Sequence, residues 1–170
     1  KRGPQFEATS FQSEELQAAD LLKRHVYSLS IGIRKVFPAF GIMEGYENED
    51  RYFDHTGVVY DGKGMDDRGH GVKKLAYFTY KLMGEKLEGS DWNNIATINT
   101  HLPNVYAYQF KKRVGDAKVV VLWWDWFAEL QDPANGSRVV ALPWDRGPAV
   151  VTRSITDREG RRVTSNLTPR

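Results

Sequence analysis

Ile33-Arg34-Lys35-Val36-Phe37-Pro38-Ala39-Phe40-Gly41-Ile42-Met43 is a near-continuous apolar run. That is the pattern of a strand buried on both faces in a parallel sheet. Pro38 removes a ladder donor, so the regular strand is expected to end or bulge there. Helical patterns flank the run. Upstream, Ser13 followed by Glu14 and Glu15 combines a capping hydroxyl with acids in the positive first turn. Leu16, Ala19, Leu22, Val26 and Leu29 then form one apolar stripe along a helix that Gly32 can terminate. Downstream, Glu44 to His70 is rich in Gly, Asp and aromatics without either period, and so long a loop in a compact domain is usually functional. A second helix is expected from Val72 to Leu87, with Val72, Leu75, Ala76, Thr79, Leu82, Met83 and Leu87 on one side and Gly89 as its stop. With Phe6 and its neighbours as a first strand, the order strand, helix, strand, long loop, helix is the repeat of a parallel α/β fold.

Beyond residue 90 the pattern is all-β, with short strands at roughly ten-residue spacing between turn signals. Strands are expected at Asn94 to Asn99, Val105 to Lys111, Lys118 to Phe127, Arg138 to Leu142, Ala149 to Ile155 and Arg161 to Ser165. Turn chemistry separates them at Gly115-Asp116, Asp132-Pro133-Ala134-Asn135-Gly136, Asp145-Arg146-Gly147-Pro148 and Asp157-Arg158-Glu159-Gly160. Tyr106, Tyr108 and Phe110 fall on alternate residues and share a face. The expected organisation is an α/β segment over residues 1–90 and an antiparallel β-sandwich over residues 91–170.

Composition narrows the function classes. Net charge is +2, from 24 Lys and Arg against 22 Asp and Glu, with the signs interspersed, which gives no electrostatic case for nucleic acid. The local excess at Arg153, Arg158, Arg161, Arg162 and Arg170 reads as a solvated edge strand in preference to a binding patch. A mean hydropathy of -0.55 and the lack of a long apolar run exclude a membrane helix. The absence of cysteine removes disulfides, thiolate metal sites and a cysteine nucleophile. Lys1-Arg2-Gly3-Pro4 leads at once into an apparent strand without an initiator Met, so the true N-terminus is expected upstream. Asn135-Gly136-Ser137 and Asn166-Leu167-Thr168 are compatible with secretion in a eukaryote, although such triplets are common by chance.

Phe6-Glu7-Ala8-Thr9-Ser10, a helix, Gly32 to Phe37, a loop and Val72-Lys73-Lys74-Leu75-Ala76-Tyr77-Phe78-Thr79-Tyr80-Lys81-Leu82 together resemble the end of a retaining glycoside hydrolase. The clan is the one whose two glutamates follow barrel strands four and seven. The hairpin of Val105 to Phe110 with Val119 to Trp124 is similar to the C-terminal sandwich of such enzymes. The resemblance implies the last βα units of a TIM-type (β/α)8 barrel with an appended antiparallel β-sandwich. It places the catalytic nucleophile at Glu7, where attack on the anomeric carbon forms a glycosyl-enzyme. The acid/base carboxyl then belongs to a strand preceding this sequence, so the segment alone is expected to be inactive. The Ala8 between Glu7 and Thr9, and Phe40 where a Trp commonly floors the sugar site, depart from the family pattern. The implied partners are an oligosaccharide or polysaccharide substrate and the remaining barrel segment, without a cofactor, and the implied location is secreted or extracytoplasmic. The alternative is a non-catalytic carbohydrate-binding or structural module that keeps a barrel remnant.

The loop from Glu44 to His55 concentrates acids and aromatics where βα loops build sites. Rings stack on sugar faces and carboxylates accept from hydroxyls, so Tyr46, Tyr52 and Asp54 are candidate substrate contacts, against the plainer reading of a solvated, self-packed loop. Asp54, His55, Asp61, Asp66, Asp67 and His70 lack the helix-spaced His pair or EF-hand order of a metal site, and none is expected. No phosphate-cradle motif surrounds Gly62-Lys63-Gly64. In Trp123-Trp124-Asp125-Trp126, alternation sends Trp123 to one face and Trp124 with Trp126 to the other, and core is favoured over a sugar-binding platform.

Overall fold

A computed structural model describes residues 13–37, 56–62, 65–124, 139–144 and 147–168. Its elements are helices α1 (Glu14–Ser30) and α2 (Leu75–Leu87) and strands β1 (Ala96–Thr97), β2 (Val105–Lys111), β3 (Lys118–Trp124), β4 (Ala149–Thr152) and β5 (Thr164–Leu167).

Helix α1 begins as its sequence dictates, with the Ser13 hydroxyl accepting from the Leu16 amide at 3.2 Å. It ends in a Schellman turn. Gly32 takes φ of 91°, its amide donates to the Leu29 carbonyl, and the Ile33 amide donates to the Ser28 carbonyl. This cap overturns the expected strand over its described part. Ile33 spends its amide closing the helix, and residues 33–37 form no ladder, with Phe37 80% exposed. The buried stripe of α1 is also turned from the expected one: Ala18, Leu22 and Val26 are buried, whereas Leu16 is exposed.

Helix α2 starts three residues later than the pattern suggested, because Val72 to Lys74 are held in extended form. Val59 bridges Lys73, the Tyr60 amide donates to the Val72 carbonyl, and the Lys74 amide donates to the Val58 carbonyl. Leu75, Ala76, Thr79, Leu82 and Leu87 are buried along it.

The two helices lie side by side and run the same way. Ala18 near the start of α1 clusters with Leu75 and Ala76 at the start of α2, the His25 and Tyr80 rings farther along meet edge-to-face at 5.1 Å, and Val26 in the last turns of α1 clusters with Leu87 at the end of α2.

Every ladder between described strands is antiparallel: β1-β2-β3 form one sheet and β4-β5 a separate ribbon. Mixed helices and small antiparallel sheets, with no closed barrel among the described residues, are therefore what the chain builds. The three-stranded sheet lays Tyr108, Phe110, Val119, Val121 and Trp123 on Leu22, Val26, Leu29, Met83 and Leu87. This core crosses residue 90. Trp123 packs against it, partly buried, and stacks on the exposed Tyr106 at 5.6 Å, whereas Trp126 lies outside the described residues.

The expected strand at Arg138 to Leu142 is not formed in its described residues, and β5 is shifted toward the C-terminus. The β4–β5 ribbon leans on α2: the Thr79 hydroxyl donates to the Ser154 carbonyl, and Gly160 at φ of 78° sits where an added Cβ would meet the Phe78 ring at 2.5 Å. The far end of α2 is tied to the sheet through Lys112, whose Nζ donates to the Lys86 carbonyl at 2.5 Å and also to that of Glu88.

Candidate functional site

Glu7, Tyr46, Tyr52 and Asp54 lie outside the described residues. The structure does describe where the chain continues from them, and residues 13 and 56 fall at the same end of the molecule. Gln17 in the first turns of α1 donates through Nε2 to the Thr56 and Gly57 carbonyls, each at 3.2 Å. Both helices point their N-termini at that end.

A cluster of charged and hydrogen-bonded groups occupies it, centred on Glu14. Oε1 accepts from the Tyr60 hydroxyl at 2.6 Å, and Oε2 accepts from the Leu75 amide at 3.3 Å. Helix α2 has no side-chain cap of its own at Lys74, so the carboxylate of another helix satisfies its first amide. Arg158, in the turn after β4, brings Nη1 to 3.7 Å from Oε1. Burial pushes the Glu14 carboxyl up, but the bonds from Tyr60 and Leu75, with Arg158 and Lys74 nearby, outweigh it and hold the group below its ordinary value. Burial and the bond to Glu14 push the Tyr60 phenol up to about 12. Glu14 therefore carries its negative charge near neutral pH, balanced by the Arg158 guanidinium and the Lys74 ammonium beside it.

Lys74 is 4% exposed, with Nζ 4.8 Å from the centre of the Tyr60 ring. Burial pulls its ammonium down to about 8, opposed by the Glu14 charge. Because the folded value lies below the unfolded one, the unfolded chain binds more protons between pH about 8 and 10.5, and stability from this group rises across that window. Lys74→Met is expected to flatten that rise in urea-unfolding free energies measured from pH 8 to about 9.5, below the titration of tyrosine in the unfolded chain. Parallel wild-type and variant curves would count against a buried, depressed lysine.

Asp67 and His70 are engaged within their own loop. Asp67 Oδ1 accepts from the Gly69 amide at 2.8 Å, and His70 Nδ1 donates to the Asp61 carbonyl at 2.5 Å. No group of three potential metal-ligating side chains converges among the described residues. Three of the tail arginines meet acids: Arg158 meets Glu14, Arg161 meets Asp157 at 2.6 Å and Glu159 at 2.9 Å, and Arg162 meets Glu85. An open groove of about 480 Å³ lined by His25, Leu29, Arg34, Phe37 and Tyr80 lies farther along the helices, away from Glu14. Among the described residues no helix is long and apolar enough to cross a membrane.

The sequence marked Glu14 only as an acid in a helix first turn, and its link to Tyr60, Leu75 and Arg158 left no local signal, since the partners are 46, 61 and 144 positions away. No family model, curated protein or solved structure matches the chain.

Proposed function

We propose that the chain is the C-terminal part of a retaining glycoside hydrolase, with α1 and α2 as outer helices of a (β/α)8 barrel and the antiparallel sheets as parts of an appended sandwich. The observation that carries this reading is the parallel packing of α1 and α2. Helices joined by a short link run antiparallel, and parallel neighbours need a return segment, which a βα repeat supplies as a strand. Residues 31–74 provide the length for that return. In such a barrel the catalytic face lies at the helix N-termini and the carboxyl ends of the strands. Glu7 is seven residues from Glu14, a reach of roughly 25 Å at most, and Asp54 is two residues from Thr56, or about 7 Å. Chain length thus allows both to reach the end that the helix N-termini share, as this reading requires.

In this reading Glu7 attacks the anomeric carbon while a second carboxyl, from a strand outside this sequence, protonates the departing oxygen. The same carboxyl then takes a proton from water, whose oxygen displaces Glu7 and restores the starting anomeric configuration. The pair must stand about 5 Å apart for this chemistry. Tyr46 and Tyr52 offer ring faces to the sugar, and Asp54 accepts from its hydroxyls. Action on external polysaccharide fits a secreted or extracytoplasmic enzyme.

The test is turnover of a panel of aryl glycosides by the full-length protein, with the product anomer read by NMR before mutarotation. Release of the retained anomer is the expected result. Binding of oligosaccharide without turnover, in a protein lacking a second carboxylate near Glu7, would instead establish the non-catalytic module.

A further inference from the structure

The groove beside the C-terminal half of α1 takes no part in the proposed glycoside chemistry. Its volume of about 480 Å³ lies within the usual range of small-molecule sites, roughly 300–1,000 Å³. Its walls are mostly apolar: Leu29 of α1, Tyr80 of α2, and Val36 and Phe37 in the segment beyond the α1 cap, with the Phe37 ring largely exposed. Two features are polar. His25 lines the groove although it is only 8% exposed. Its Nδ1 donates to the Leu21 carbonyl at 2.7 Å, which leaves Nε2 of the neutral ring as an acceptor, and Nε2 is buried without a hydrogen-bond partner among the described residues. An unpaired buried acceptor costs free energy that a donor brought to it relieves. The second feature is charge. Arg34 and Lys35 line the groove, and its described lining includes no acid. Arg34 spends one donor on the Leu29 carbonyl and another on the Asn93 side chain, and the rest of its fork stays open to an anion. Asp91, which feels the Arg34 charge, is already bonded by the Asn93 amide and the Asn94 side chain.

We infer that this groove binds a hydroxyaryl carboxylate, a flat aromatic acid with a hydroxyl at the end remote from its carboxylate. The aromatic body packs on Phe37, Tyr80 and Leu29, the carboxylate meets Arg34 and Lys35, and the hydroxyl donates to His25 Nε2. The spacing suits such a molecule. The imidazole leans back toward the Leu21 carbonyl, whereas Arg34 is anchored at the Leu29 carbonyl, so acceptor and cation stand one to two helical turns apart, roughly 5–10 Å. A sugar fits less well, because its many hydroxyls would face walls with few hydrogen-bonding groups. The exposed Tyr80 ring stands edge-to-face against the imidazole at 5.1 Å, and its rotation is the movement that opens Nε2 to the ligand. Such binding is independent of glycoside turnover, since none of the groove residues belongs to the sugar site proposed above.

The experiment is an NMR titration of the full-length protein with 4-hydroxycinnamate, beside cinnamate, which lacks the hydroxyl, and 4-hydroxycinnamyl alcohol, which lacks the carboxylate. Wild type is expected to bind 4-hydroxycinnamate with Kd below about 1 mM. Cinnamate is expected to bind about 5- to 10-fold more weakly, and the alcohol at least about 10-fold more weakly. His25→Phe keeps an aromatic ring but removes Nε2, and is expected to bind the two acids within about two-fold of each other, a loss of selectivity that a general loosening of the fold does not produce. Arg34→Gln is expected to weaken 4-hydroxycinnamate at least about five-fold and to narrow its advantage over the alcohol. The three ligands compared on wild type test the site even if a variant fails to fold. No saturable binding of 4-hydroxycinnamate below about 10 mM would overturn the inference, the groove then being closed to ligands by the chain itself. Equal affinity of wild type for the two acids would overturn it too. So would a concentration-dependent dimer in sedimentation that Phe37→Ala abolishes, because a second copy of the chain would then be the occupant.

Discussion

On the proposed mechanism, Glu7→Gln is expected to lower glycoside turnover by at least about a thousand-fold, equivalent to about 4 kcal/mol of transition-state stabilisation. The amide has the shape of the carboxylate but neither its charge nor its nucleophilic oxygen, so the glycosyl-enzyme does not form and the retaining route stops at its first step. Substrate affinity should change far less, because in the proposed site binding rests on the rings and hydroxyl acceptors around the sugar. A second arm identifies the role. Glu7→Ala opens space on the face of the anomeric carbon opposite the leaving group, and added azide, a small anion, is expected to restore bond cleavage there with the product configuration inverted. A Glu7→Gln enzyme that keeps a tenth or more of wild-type turnover would remove Glu7 from the nucleophile's place.

The second large effect is on stability. Phe110→Ala is expected to cost about 3–5 kcal/mol, a fall in melting temperature of roughly 6–20 °C for a chain of this size. Phe110 is 0% exposed and belongs to the cluster of Leu22, Val26 and Leu87, with the Trp92 ring edge-on at 6.3 Å. It thus joins both helices to the three-stranded sheet, and its loss leaves a cavity that no single element can collapse to fill. Phe37→Ala is the control: that ring is 80% exposed, and its removal is expected to shift stability by no more than about 0.5 kcal/mol. Unfolding in urea followed by tryptophan fluorescence measures both. A cost below about 1 kcal/mol for Phe110→Ala would mean that the helices and the sheet do not share a core.

Local chemistry was legible, and so were the elements it controls. Ser13 and Gly32 bound α1 as their side-chain and backbone preferences require, and β2 runs from Val105 to Lys111 as the alternation of Tyr106, Tyr108 and Phe110 indicates. What failed was the assignment of apolar runs without a visible partner. Ile33 to Phe37 has strand composition, but the Ile33 amide closes the α1 cap, and composition does not register that commitment. Val72 to Lys74 fits the helical pattern, yet the facing segment at residues 58–60 wins those backbone groups. Arg158 and Arg162 carried no hint of which acids they meet, since Glu14 and Glu85 are distant in sequence. Glu7, Tyr46, Tyr52 and Asp54 rest on residue type and resemblance and lie outside the described residues.

Helix α2 is gripped at both ends by side chains from other elements, an anion from Glu14 at its first amide and a cation from Lys112 at its last carbonyls. Each charge has the sign that the helix dipole favours. Isolated helices open from their tips, but here neither tip can fray without detaching α1 or the β-sheet as well. The opening of α2 is therefore coupled to that of its neighbours, and the terminal amides should exchange with solvent nearly as slowly as those at its centre. Native-state hydrogen exchange is expected to show one shared protection factor along α2, where an ungripped helix of thirteen residues would show a gradient toward its ends.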